Sequence, residues 1–317
     1  MSATNGVGAD GRCVVVLGAS SGIGRACARR FARGGARLVL AARNQGRLEE
    51  AAAECRSDGA ASVTWVRIDV LDAPAVQTLF DETAAAHGQV DVVVHAAAVM
   101  AYGRIEDVPA AVFTRVVDTS IHGTANVARA VLPVFRRQEH GTLIVVTSLL
   151  ASVPVPQMGS YIVGKWGQLA LGRVLQLETR DAADLHVCLV APGAVDTPIY
   201  RRAANFAGRI AQPPPPVDSP DTVARAVVRS ADHPGRSVSV GLANRVVVLG
   251  LRLVPRLFDL LVTPLFKLGA LTNTPEAATE GNVFDPQFDP DDAPSAPVAV
   301  TSSAPVADAR RADMLSA

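Results

Sequence analysis

The sequence carries no net charge: 30 Lys and Arg residues balance 30 Asp and Glu. No global field draws the chain toward nucleic acid or an acidic surface, so polyanion binding is not expected. Paired cysteines are missing as well. Cys13, Cys27, Cys55 and Cys188 form no C-x-x-C spacing and have no His-rich neighbour, so they are expected to be reduced structural thiols, with no metal site. The opening residues MSATNGVGAD lack the cationic stretch and apolar core of a signal peptide, which makes the cytoplasm the expected compartment. No internal repeat is present.

What is present is an apolar fraction of 49%, ample for the core of one large domain. From Cys13 onward, short β-branched runs alternate with helical segments, the pattern of a parallel sheet covered on both faces. The expected strands are Cys13–Leu17, Arg37–Ala41, Val63–Ile68, Val90–His95, Thr142–Thr147, His186–Val190 and Ser237–Val240. The expected helices are Ile23–Arg33, Arg47–Ser57, Ala73–His87, Ala110–Val134, Tyr161–Asp181 and Asp221–Ala231, the last with Ser219 as N-cap and Pro220 at its first position. The reading is an α/β doubly wound, seven-stranded parallel sheet of Rossmann type over 12–244, followed by an amphipathic extension over 245–284. Residues 1–11 and the Pro/Ala/Asp-rich tail 285–317 are expected to be disordered. The run QPPPPVD, Gln212 to Asp218, cannot continue a helix and is expected to be an extended connector beside the substrate cleft.

The stretch VVVLGASSGIGRACARR sets Gly18, Gly22 and Gly24 between a buried strand and a helix. Such glycines permit a tight turn, close approach of backbone N–H groups to a pyrophosphate, and close helix packing with the positive helix end at the phosphates. The G-x-x-x-G-x-G spacing resembles that of the short-chain dehydrogenase/reductase family, and the resemblance extends over roughly Arg12 to Val240. It implies a Rossmann fold binding NAD(H) or NADP(H). It also implies a cofactor site made of Gly18, Ser20, Ser21, Gly22, Ile23, Gly24, Asp69, Val70, Ala96, Ala97, Pro192, Gly193, Val195 and Thr197. Val195 and Thr197 would contact the nicotinamide carboxamide, with the pro-S hydride facing the substrate. A strand-end Asp such as Asp69 can equally cap a turn.

The second strand ends in RLVLAARN, with Arg43 where an NAD site needs a carboxylate for the ribose 2′-hydroxyl. A guanidinium and no acid favour the 2′-phosphate of NADP(H). Ser148 closes the fifth strand, and Tyr161 and Lys165 lie four apart on one helix face. In the family pattern, Tyr161 is the general acid/base and Ser148 orients the substrate oxygen. Lys165 lowers the phenol pKa and holds the ribose, so Tyr161 and Lys165 also belong to the cofactor site.

Two departures stand out. The family's N-N-A-G becomes His95, Ala96, Ala97 and Ala98, with His95 expected to be a satisfied structural residue. The family's relay asparagine becomes Ser120, whose shorter hydroxyl would hold the relay water in altered form; His122 lies two positions along and points elsewhere.

The expected activity is an NADP(H)-dependent carbonyl reductase interconverting a ketone and a secondary alcohol. The alternative is a catalytically impaired sensor or scaffold on the same fold. Family members pair through their two long helices, which implies a homodimer or homotetramer. The run VVVLGLRLVPRLFDLLVTPLFKLGAL, Val246 to Leu271, is too charged to span a membrane. Four charged residues at roughly 3 kcal/mol each outweigh its Leu, Val and Phe at roughly 0.5 each. Arg245, Arg252, Arg256, Asp259, Thr263 and Lys267 fall on one strip of a single proline-kinked segment. Such a segment suits a lipid interface, an apolar lid or a subunit contact. The first two imply a hydrophobic substrate.

Overall fold

The computed structural model describes residues 11–286. The expectations for residues 1–10 and 287–317 lie outside the described residues. Seven parallel strands form one sheet: β1 Cys13–Leu17, β2 Arg37–Ala42, β3 Ser62–Arg67, β4 Val92–His95, β5 Gly141–Val146, β6 Leu185–Pro192 and β7 Ser237–Val240. Their spatial order is β7-β6-β5-β4-β1-β2-β3. Every residue of β1, β4 and β5 is buried, as a strand covered on both faces requires.

The covering helices are α1 Gly22–Arg33, α2 Gln45–Ser57, α3 Ala73–His87, α4 Ala110–Gln138, α5 Gly159–Glu178 and α6 Pro220–Asp232. Asn44 caps α2, Asp72 caps α3 and Ser219 caps α6, each side chain accepting from a first-turn N–H. Two cores result. Val14, Val16, Phe31 and Leu48 pack on one sheet face, and Val15, Leu17, Phe80 and Phe135 on the other.

Sheet order reverses between β1 and β4, where chain crossovers leave in opposite directions and open a crevice beyond the strand ends. The nominated cofactor residues and Ser148 approach that crevice.

The C-terminal extension differs from a single kinked segment. Two helices, α7 Leu242–Leu253 and α8 Pro255–Ala270, are separated at Val254 (φ −134°, ψ 61°). The residue before a proline is pushed out of helical geometry, so the chain stops and restarts at Pro255. The polar strip is therefore not continuous. After α8, Leu271–Pro275 pairs antiparallel with Arg209–Ala211. The connector from Gln212 is not extended throughout: it bends at Pro215 and Pro216, whose shared peptide bond is cis, with Pro214 on the cleft wall and Val217–Asp218 paired to Ala194–Val195.

Candidate active site

The turn after β1 supplies the floor of the crevice. Gly18 has φ +84°, and a Cβ there would stand 2.6 Å from the Ala97 nitrogen, so the strand ends of β1 and β4 meet only because this residue has no side chain. Gly24 lies against the Gly18 carbonyl in the same way, seating α1 on the turn. No side chain caps α1, and its first turn holds no acid, so its leading N–H groups and positive end remain available to an anion. This cradle fits a dinucleotide pyrophosphate.

All of the residues nominated above for cofactor contact line this one cleft, from Gly18 to Thr197, together with Ser148. Ser120 does not line it. Its side chain is fully buried between α4 and α5 against Gly164, and its hydroxyl has no hydrogen-bond partner. Asp69 lines the cleft and also caps a turn, its Oδ1 accepting from the Leu71 N–H at 3.0 Å while its other oxygen pairs with Arg115.

Ser148 lies two residues beyond β5 in extended geometry, and its Oγ accepts from the Leu150 N–H at 3.1 Å, leaving the hydroxyl proton to donate elsewhere. Tyr161 sits in the first turn of α5, with Lys165 one turn on. The Lys165 Nζ donates to the Val146 carbonyl at 3.0 Å and to Gln168 Oε1 at 2.8 Å, and stands 5.6 Å from the Tyr161 ring centroid. Gln168 in turn donates to Thr124 Oγ1 at 2.8 Å and to the Ser120 carbonyl at 3.4 Å. Gln168 and Thr124 were not nominated from the sequence. The i, i+3 spacing of Lys165 and Gln168 is the signal that points to them.

The electrostatics correct one expectation. The phenol of Tyr161 is raised, not lowered: burial dominates, Tyr200 adds to it, and only a hydrogen bond from Ser148 opposes. Burial also brings Lys165 down to about 7. Burial penalises both charged forms at once, so the phenol holds its proton. His95 also departs from expectation. It is buried, but both ring nitrogens lack partners, and burial followed by the charge of Lys165 takes it down to about 3. It is a neutral, unsatisfied imidazole and not a satisfied one.

Beyond Ser148 the cleft turns apolar. The chain has three tyrosines, and Tyr102, Tyr161 and Tyr200 all line it, with Val155, Met158, Ile199 and Phe266. Phe266 and Ala270 are the buried residues of α8, and the Phe266 ring lies 6.5 Å from that of Tyr102. Tyr102, Tyr200 and Phe266 carry no motif and escape sequence reading.

Residues 12–206 match the family model of the short chain dehydrogenases. The chain is 33% identical over 193 residues to dehydrogenase/reductase SDR family member 4 of Bos taurus, spanning 61% of this chain and 68% of that one. It is 31% identical over 254 residues to the uncharacterized oxidoreductase YxnA of Bacillus subtilis, spanning 78% and 70%. Among solved structures, an alcohol dehydrogenase of Thermococcus sibiricus complexed with 5-hydroxy-NADP superposes with a TM-score of 0.64 at 29% identity, covering 73% of this chain and 96% of that one. A short chain dehydrogenase/reductase of Burkholderia phymatum in complex with NAD gives 0.69 at 26%, covering 80% and 96%. With the matched segment taking in the glycine turn, Ser148, Tyr161 and Lys165, the chain belongs to the short-chain dehydrogenase/reductase family of oxidoreductases.

Proposed function

We propose that this protein is an NADP(H)-dependent carbonyl reductase acting on hydrophobic ketones or the matching secondary alcohols. The observation that carries the reading is the meeting of Ser148, Tyr161 and Lys165 with the Gly18 cradle and Arg43 in one cleft whose far wall is apolar. Bound in that cradle, a nicotinamide nucleotide supplies or takes up a hydride. Ser148 turns its hydroxyl proton from Tyr161 to the substrate oxygen and fixes the carbonyl. Tyr161 delivers its proton to that oxygen as the carbon is reduced; a phenol kept protonated by burial is suited to the donor role. Lys165 then stabilises the phenolate through charge and is held in place by Val146 and Gln168.

Ser120 joins this machinery through Gln168. Gln168 reaches Ser120 at its backbone carbonyl and not at its hydroxyl; the buried hydroxyl, which has no protein partner, is the group that would hold an internal relay water. Arg43 is the cation for the 2′-phosphate. The competing reading, a sensor without turnover, draws on the departures at His95 and Ser120.

Among the described residues no helix is long and apolar enough to cross a membrane. The two faces of α8 are nonetheless unlike. Phe266 and Ala270 face the cleft core, whereas Leu260 and Leu268 are 71% and 80% exposed. Val246, Leu249, Leu253 and Leu257 extend this surface along α7 and into α8, rimmed by exposed Arg252, Arg256 and Lys267 and one exposed acid, Asp259. We read α8 as a lid on its inner side and a peripheral contact with an anionic lipid surface on its outer side. On α5, exposed Val163, Trp166, Val174 and Leu177 recur at helical spacing, which supports the homodimer or homotetramer reading.

The test is NADPH oxidation by purified protein across steroid, quinone, acyl and aromatic ketones. Turnover of bulky apolar ketones with small polar ketones poorly used is the expected result. Turnover of none, with NADPH bound, selects the sensor reading.

A further inference from the structure

Arg43 is not free in the cleft. Its Nη2 donates to the Asn282 carbonyl at 2.5 Å, and its Nη1 donates to the carbonyls of Val283 at 3.0 Å and Phe284 at 2.9 Å. These partners lie about 240 residues along the chain, and their position is built rather than incidental. Val283 is fully buried, in the cluster that holds Met100, Tyr102 and Val116. The Asn282 N–H donates to the Arg202 carbonyl at 2.9 Å, and Asn205 exchanges N–H bonds with Thr279 at 2.8 and 3.0 Å. Gly281 has φ +54°, and a Cβ there would stand 2.4 Å from the Arg202 carbonyl oxygen, so this turn requires glycine. Residues 276–284 thus form a strap from the loop over the substrate cleft to the adenosine end of the cofactor site.

The contacts leave Arg43 able to act. A guanidinium has five N–H donors, and the strap takes three through Nη1 and Nη2. Carbonyls carry no net charge, so the cation is oriented without being neutralised. Arg115 adds a second positive charge, shared with Asp69 and, at 3.5 Å, with the Val283 carbonyl. Asn282 itself lines the cleft, and its side-chain Oδ1 is buried without a partner, an acceptor suited to an adenine amine or a ribose hydroxyl.

We infer that Asn282 to Phe284 form the outer wall of the adenosine site and are a cofactor-specificity element, holding the Arg43 guanidinium where it meets the 2′-phosphate. The inference rests on the NADP(H) reading above. It makes Val283 and Gly281 positioning residues for Arg43, although neither touches the nucleotide.

The test is calorimetric titration of the full-length protein with NADPH and with NADH, each variant being checked for cooperative melting. Val283→Asp and Gly281→Val should raise the Kd for NADPH about tenfold or more, the loss expected when one charge-assisted contact is misplaced, and should change the Kd for NADH far less. In an Arg43→Ala background the same changes should add almost nothing. If Val283→Asp does not fold, Val283→Ala and Arg115→Ala should shift the NADPH-to-NADH ratio in the same direction. A wild-type preference for NADPH that survives these changes overturns the strap's role alone, as does tighter NADPH binding, which would make the strap a competitor of the phosphate. A wild type that binds NADH as tightly as NADPH overturns the cofactor reading, and this inference with it.

Discussion

The Lys165 ammonium donates to the Val146 carbonyl and to Gln168 Oε1, and stands 5.6 Å from the centroid of the Tyr161 ring. The two groups line one cleft, and burial shifts them in opposite directions, the phenol up and the ammonium down to about 7. In the proposed mechanism, stabilisation of the phenolate depends on Lys165 holding its proton.

The first consequence concerns stability. An unfolded lysine titrates near about 10.4, whereas Lys165 in the folded protein is held down to about 7. Between those values the unfolded chain binds a proton that the folded chain does not, so Lys165 makes stability rise with pH across that window and withdraws it as pH falls toward 7. Melting temperatures of the cofactor-free protein and of Lys165→Met should converge in favour of wild type from pH 7 to pH 10. A difference that stays constant across the series contradicts the buried, depressed lysine.

Gln168 is a positioning residue for that cation. Gln168→Leu removes an acceptor from a buried ammonium and should lower kcat about tenfold, in line with a hydrogen bond to a charged group. It should also move the alkaline limb of the kcat/KM profile to lower pH, and Gln168→Glu should move it to higher pH. A fall in kcat with the limb unmoved would reduce Gln168 to helix packing.

Ser120→Ala should slow turnover severalfold at most and change the solvent isotope effect if the hydroxyl holds the relay water. Ser120→Asn, which offers more donors and acceptors, should be as fast as wild type or faster. Rates and isotope effects identical in all three proteins would remove the hydroxyl from the reaction.

The α7 and α8 surface is tested with vesicles. Replacing Leu260 and Leu268 together by Asp should weaken binding to anionic vesicles about tenfold or more, since each exposed leucine inserted in lipid contributes on the order of 1 kcal/mol or more. Neutral vesicles should bind wild type less well than anionic ones. Unchanged vesicle binding, with dissociation of the oligomer seen by sedimentation, would assign this face to subunit packing.

Much of the scaffold was legible because it is local. Buried β-branched runs such as CVVVL, the caps at Asn44, Asp72 and Ser219, and the glycine turn each depend on neighbours within a few residues. The family of the chain followed from the same local signals and from Tyr161, Lys165 and Ser148. Strand β4 begins at Val92 and not at Val90, and α4 runs on to Gln138 through Pro133, because sheet register and helix packing, not propensity, set those ends. The break at Val254 has its signal in Pro255, but the apolar periodicity runs across it and suggests one kinked segment. Least legible were contacts between distant segments: Tyr102 with Phe266, and Arg43 with the carbonyls of Asn282 to Phe284. Backbone carbonyls are the same in every residue, so no composition or motif announces them. The unpaired nitrogens of His95 have no physical account in the structure.

The central claim, that Tyr161 hands its proton to a ketone oxygen fixed by Ser148, is tested most directly by Tyr161→Phe assayed for NADPH oxidation with a bulky ketone that wild type reduces. The change removes one hydroxyl from the cleft and leaves the Gly18 cradle and Arg43 untouched. Turnover should fall by about a thousandfold or more, within the range that general acid catalysis contributes, while the Kd for NADPH stays within about threefold of wild type. A Tyr161→Phe protein that keeps the wild-type rate would contradict the account.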